Sequence, residues 1–111
     1  MKGDHIGEFE ELVLLAVQGL PDQAYGVSVQ QLLERETSRR VSIGAVYAAL
    51  DRLEAKGLVR SRIAPGTAVR GGRSRRAFIP TAAGARALAE MRRVRDRLWR
   101  AAGSTPARER T

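Results

Sequence analysis

The sequence predicts a mainly α-helical chain with one small β-hairpin, in the order helix, helix, helix, hairpin, long helix. Three observations carry that prediction. Apolar residues recur at helical spacing in four separate stretches, a glycine-rich interval divides two short strand-like runs, and several helix ends carry capping residues.

The first helix is expected over residues 8–18, where Phe9, Leu12, Val13, Ala16 and Val17 keep the spacing of one face. Glu8, Glu10 and Glu11 fall in its first turn, where the helix dipole favours negative charge. Gly19 suits a left-handed residue after the helix, Leu20 can fold back onto Leu15, and Pro21 bars continuation. A second helix is expected over residues 25–36, with Val29, Leu32 and Leu33 inward and Gln30, Gln31 and Glu34 outward. Thr37, Ser38, Arg39 and Arg40 form a polar connector. The third helix has the clearest ends. Ser42 is a good N-cap, and Val41 and Val46 occupy the positions of a hydrophobic staple. Ile43, Val46, Leu50 and Leu53 form the expected buried stripe, and Gly57 stops the helix with Leu58 closing onto Leu53.

Residues 58–63 read as a strand, residues 64–74 as a loop marked by Pro65, Gly66, Gly71 and Gly72, and residues 75–80 as the returning strand. Thr81 caps a last helix reaching about Ala102, on which Leu88, Met91, Val94 and Leu98 keep helical spacing and Trp99 widens the stripe. His5 belongs to a flexible N-terminus, and residues 103–111, almost devoid of apolar side chains, to a disordered tail.

Composition narrows the function classes. There is no cysteine and a single histidine, so disulfides, thiol chemistry, cysteine-ligated zinc and multi-histidine metal clusters are excluded, and no cofactor is expected. No P-loop, dinucleotide fingerprint or paired acid–base carboxylates are present, so an enzyme is not expected. Without an apolar run of about 20 residues or a signal-peptide pattern, a cytoplasmic protein with no membrane partner is expected. The net charge of +8 is unevenly placed: residues 1–36 hold seven acids and two bases, residues 37–111 five acids and eighteen bases. Such a basic stripe attracts a polyanion, although eighteen arginines among twenty bases also reflect a composition rich in arginine and alanine.

Three helices followed by a hairpin is the winged helix-turn-helix order, in which the third helix enters the major groove. The expected division is a DNA-binding unit over residues 1–80, a C-terminal dimerisation helix over 81–102 and the tail over 103–111. At about 100° per residue, Gly44, Ala45, Ala48, Arg52 and Ala55 lie opposite the buried stripe, with Tyr47 and Asp51 toward one flank. Small side chains let a helix approach the groove floor, and alanine methyls can meet thymine methyls. Ser42, Gly44, Ala45, Tyr47, Ala48 and Arg52 are therefore the candidate contacts of the helix. The hairpin carries six arginines between Arg60 and Arg76 and no acid. Of these, Arg70, Arg73, Arg75 and Arg76, grouped around Gly71 and Gly72, are the candidates for phosphate or minor-groove contact.

The segments IGEFEELVLLAV, AYGVSVQQLLE, VSIGAVYAALDRLEAKGLV and GGRSRRAFIPTAAG resemble the PadR family of winged-helix transcriptional regulators across roughly residues 5–100. The resemblance is most specific from Tyr47 and Leu50 into Gly57-Leu58-Val59, at Tyr25-Gly26, and at the helix start between Thr81 and Gly84. It implies a homodimer that binds double-stranded DNA, usually as a repressor, with the last helix pairing the subunits. It also implies DNA contacts at Ser42, Tyr47 and the wing arginines. The chain resembles the short branch of that family, with one C-terminal helix. It departs from the pattern where Ala77 precedes Phe78, a thinner aromatic end to the wing.

Met91, Val94, Leu98 and Trp99 form a stripe that a small core has little room to cover, which argues for a second copy. Phe9, Leu12 and Val13 of the first helix compete for the same stripe within one subunit. Phe9, Leu12, Met91, Val94, Leu98 and Trp99 are thus the candidate dimer interface, and by resemblance a pocket for a small aromatic effector stacking on Trp99. The competing class is a winged-helix protein–protein interaction module without DNA binding, which salt dependence separates from phosphate binding.

Overall fold

The computed structural model describes residues 6–63 and 75–103. It consists of α1 (Glu8–Gln18), α2 (Gly26–Thr37), α3 (Ile43–Ala55), β1 (Val59–Ile63), β2 (Arg76–Pro80) and α4 (Ala82–Gly103). This is the mainly helical, hairpin-bearing order of a winged helix. The expected loop over residues 64–74 lies outside the described residues, as do His5, Arg70, Arg73 and residues 104–111 of the expected tail.

The core is a single apolar cluster. Val13, Leu14 and Val17 of α1, Val29 of α2, Val46, Ala49, Leu50 and Leu53 of α3, Val59 of β1 and Phe78 of β2 are all essentially inaccessible. α1 touches α2, α3, β2 and α4, so its buried arc is wider than one amphipathic stripe. That is why Leu14 is buried beside Val13, where a one-face reading left it out, while Phe9 and Leu12 are only half-buried. Leu15 is 47% exposed, and Leu20 packs on the core. Gly19 is right-handed (φ −81°), because its N–H closes the helix onto Leu15 and Ala16 carbonyls without a left-handed turn. The left-handed residues sit later, at Asp22 (φ 65°) and Ser38 (φ 57°).

α2 and α3 are joined by side chains that sequence reading turned toward solvent. Gln30 Nε2 donates to the Val41 carbonyl at 2.8 Å, and the Val41 N–H donates to Glu34 Oε2 at 2.8 Å. Both polar groups of one connector residue are satisfied from α2, which fixes where α3 begins. Ser42 then accepts from the Ala45 N–H at 3.0 Å as the N-cap. Ile43, expected in the buried stripe, is 36% exposed; Ala49 takes the fourth buried position beside Val46, Leu50 and Leu53 in the core.

At its far end α3 closes as a Schellman motif: Leu58 N–H donates to the Leu53 carbonyl and Gly57 N–H to that of Glu54, both at 2.9 Å, with Gly57 at φ 76°. The same turn receives α4. Thr81 N–H donates to the Leu58 carbonyl (3.0 Å), Thr81 Oγ1 donates to the Gly57 carbonyl (2.7 Å), and Gly84 N–H donates to Thr81 Oγ1 (3.0 Å). A Cβ at Gly84 would overlap the Leu58 carbonyl oxygen. Glycine is thus required for α4 to dock on the α3–β1 turn.

β1 and β2 pair antiparallel with Ser61 opposite Phe78. The Phe78 N–H donates to the Ala24 carbonyl at 2.9 Å, so the segment before α2 lines the other edge of β2 and roots the wing in the core. No described helix is long and apolar enough to cross a membrane.

Candidate nucleic-acid interface

α3 presents one face that nothing in the described protein covers. Gly44, Ala45, Ala48 and Ala55 are exposed, and a Cβ placed on Gly44 would meet no atom within 4 Å. Glycine in a helix costs up to about 1 kcal/mol relative to alanine. At Gly44 no internal packing requires it, unlike Gly84. An exposed helix face stripped of bulk suits close approach by an external surface.

The flanks of that face are held from within. On one side Tyr47, 39% exposed, lies over Gly26 at the start of α2, where a Cβ would come within 2.7 Å of the tyrosine Cε1. This contact explains the glycine of the Tyr25-Gly26 pair. On the other side Arg52 is not a loose cation: its Nε donates to Glu10 Oε2 at 2.6 Å, and Lys56 Nζ donates to Glu10 Oε1 at 2.7 Å. Glu10 is 8% exposed on α1. Its carboxylate grips two cations one turn apart on α3, leaving that trio at net +1. Sequence reading gave Glu10 to the helix dipole and Arg52 to DNA contact; the pairing needs α1 and α3 side by side, and a single-helix reading does not contain it.

Burial pushes the Glu10 carboxyl upward, but hydrogen bonds from Lys56 and Arg52, with their charges, outweigh it and hold the group below its ordinary value. A lowered folded-state value means a stabilising contribution that is fully present above the ordinary value of 4.5 and is lost as pH falls through the folded value. Glu10→Gln is therefore expected to unfold more easily by about 2 kcal/mol at neutral pH, less than a fully buried pair because Arg52 stays half exposed. Its deficit against the parent should shrink as pH drops below 4.5 in chemical-denaturation curves. A deficit independent of pH would contradict the assignment.

Glu11, the adjacent residue, is also 8% exposed and takes a two-pronged interaction from Arg95 of α4, Nη2 to Oε1 at 2.6 Å and Nε to Oε2 at 3.1 Å. This pairing and the charge of Glu11 hold the Arg95 guanidinium above its ordinary value. α1 thus carries two neighbouring buried carboxylates, one tied to α3 and one to α4.

The wing residues divide in the same way. Arg75 is exposed, its guanidinium 4.5 Å from the centre of the Tyr25 ring. Arg76, opposite Ile63 at the loop-side end of the paired strands, is anchored: Nη2 donates to Glu54 Oε1 at 2.9 Å and to Ser61 Oγ at 3.3 Å, and the guanidinium lies 4.9 Å over the Phe78 ring. Arg76 joins the wing to α3, whereas sequence reading gave it to phosphate. Arg70 and Arg73 lie outside the described residues.

Two cations passed over by sequence reading stand beside the α3 N-terminus. Arg39 and Arg40 are exposed, form no ion pair among the described residues, and line a hollow of about 290 Å³ with Phe9, Val41, Ser42 and Ala45. Their position just before the N-cap, where amides and dipole favour an anion, was the available signal.

On the opposite side of α1, a groove of about 450 Å³ runs between α1 and α4, lined among others by Leu15, Gln18, Leu88, Arg92 and Trp99. A second hollow on α4 is formed by Arg95, Leu98, Trp99 and Ala102. Leu88 is buried and Met91 half-buried against the core, but Val94, Leu98 and Trp99 are 38%, 64% and 71% exposed. The candidate interface residues are therefore split. Phe9 and Leu12 pack on their own core, and Phe9 lines the hollow beside Ser42, a different one from those of Trp99.

Comparison with known proteins places this architecture. Residues 14–90, well over half of the chain, match the Transcriptional regulator PadR-like family. A PadR-like transcriptional regulator from Bacillus cereus is similar with a TM-score of 0.72 at 20% identity, covering 91% of this chain and 93% of that one. PadR family regulators from Clostridium difficile (TM-score 0.61) and Eggerthella lenta (0.67) are each 25% identical, covering 88% and 87% of this chain and 93% and 84% of theirs. No curated protein matches the chain. The match covers the second half of α1, the α2–α3 pair, the hairpin and the docking of α4, and the chain therefore belongs to the PadR-like family of transcriptional regulators, which are not enzymes.

Proposed function

We propose that this regulator binds duplex DNA sequence-specifically as a homodimer and represses transcription where its site overlaps a promoter. The uncovered α3 face, whose Gly44 serves no internal contact, is the observation that carries the proposal. α3 enters the major groove, with Ser42, Gly44, Ala45, Tyr47 and Ala48 at its surface. Arg39, Arg40 and Arg75, together with Arg70 and Arg73 of the wing, meet phosphates. Arg52 and Arg76 act through their ion pairs, holding α3 against α1 and the wing against α3.

The exposed Val94, Leu98 and Trp99 support dimerisation, because a protein in water rarely leaves such a stripe uncovered on a helix. A two-fold partner closes it and presents two copies of α3. The α1–α4 groove beside Trp99 is where a small aromatic effector would enter, coupled to α3 through Glu10 and Glu11.

Selection from a randomised duplex library tests the proposal. The expected product is a two-fold symmetric site with half-sites about one helical turn, ~34 Å, apart. Absence of any enriched duplex, with binding only to protein partners, would replace it with the interaction-module reading.

A further inference from the structure

We propose that Asp51 is the base-reading residue of α3, its carboxylate accepting a hydrogen bond from the cytosine N4 amine in the major groove. The inference rests on the DNA-binding reading above and names what that surface reads.

Gly44, Ala48, Asp51 and Ala55 fall at i, i+4, i+7 and i+11, a single ridge along the exposed face of α3. Three of the four carry no hydrogen-bonding side chain, so Asp51 is the ridge's one polar contact. On the flanks, Arg52 is committed to Glu10 and Tyr47 packs over Gly26 at the edge of the face.

A carboxylate facing DNA is repelled by phosphates unless a cation offsets it, and here the cation is built in. Arg76 is fixed by Glu54, Ser61 and the Phe78 ring, and its Nη1 lies 3.8 Å from Asp51 Oδ1. That distance is too long for a direct hydrogen bond, so the charge is offset while the carboxylate lone pairs stay available. The Asp51 side chain is 65% exposed.

An ionised carboxylate only accepts hydrogen bonds. The major-groove donors are cytosine N4 and adenine N6, and adenine places the acceptor N7 beside its amine, where a second carboxylate oxygen would be repelled. Cytosine has no such neighbour. Asparagine, with one donor and one acceptor, suits adenine instead.

The test is parallel selection from one randomised duplex library with the parent protein, Asp51→Ala and Asp51→Asn. The side chain is exposed, so both variants should melt within a degree or two of the parent. The parent should select cytosine at one symmetric position per half-site and lose about tenfold in affinity when that base is changed. Asp51→Ala should lose the preference at that position alone, with less than a twofold penalty for the same change. Asp51→Asn should shift it to adenine. Identical selected sites for all three proteins, or uniformly tighter binding by Asp51→Ala with unchanged base preferences, would overturn the assignment while leaving DNA binding intact. Failure of every protein to enrich a duplex would overturn both readings together.

Discussion

Gly84→Ala is expected to destabilise the protein by about 3 kcal/mol, although alanine is the better helix former. Two effects oppose each other at this position. Helix propensity alone favours alanine by about 1 kcal/mol. Against it, the new Cβ would overlap the Leu58 carbonyl oxygen, with the carbonyl carbon 3.1 Å and Leu14 Cδ1 3.5 Å away. The obstruction is backbone, and that carbonyl also accepts from the Thr81 N–H. It cannot swing aside like the end of a side chain, so α4 must lift from the α3–β1 turn and loosen Leu88 and Met91 from the core. Steric overlap wins, and the sign of the effect reports it. Gly44→Ala supplies the control, because nothing lies within 4 Å of its Cβ. Thermal or denaturant unfolding should show Gly44→Ala neutral or stabilised and Gly84→Ala strongly destabilised; a stabilised Gly84→Ala would show that α4 is not docked this way.

Leu98→Glu is expected to abolish dimerisation and weaken operator binding by at least about a hundredfold. Leu98 is 64% exposed, so its replacement should change the stability of the isolated subunit by less than about 0.5 kcal/mol. In the proposed dimer the new carboxylate would be driven into an apolar seam. Loss of pairing separates the two α3 helices, and each half-site must then be bound without the effective concentration that a linked second site supplies. Sedimentation gives the assembly state, and titration of a fluorescent operator gives the affinity. A variant that stays dimeric with unchanged affinity would move the subunit interface off the Val94–Leu98–Trp99 stripe.

Most of the element order was legible in the sequence because it depends on local chemistry. Ser42 caps α3, Gly57 closes it and Thr81 starts α4, each through contacts within a few residues, and the strands fell within a residue of their expected ends. What failed was anything decided by several elements meeting. Leu14 is buried because α1 is contacted from several sides, and Ala49, not Ile43, completes the stripe of α3 that several elements bury. The candidate site shows the same division. The small face of α3 could be read from helical geometry alone. The commitments of Arg52 to Glu10 and Arg76 to Glu54 span 42 and 22 residues, and no pattern within one helix or strand reveals them. Asp51 was set toward a flank because Ile43 was counted in the buried stripe; with Ala49 buried in its place, the exposed face centres nearer Asp51. Arg39 and Arg40, by contrast, stood in plain sight before the N-cap.

The salt dependence of binding to a selected operator tests the central claim most directly. About ten phosphates neutralised per dimer by Arg39, Arg40 and the wing arginines Arg70, Arg73 and Arg75 should give a slope near −9 when log affinity is plotted against log salt concentration. A slope close to zero would contradict an interface built on phosphate contact at α3 and the wing.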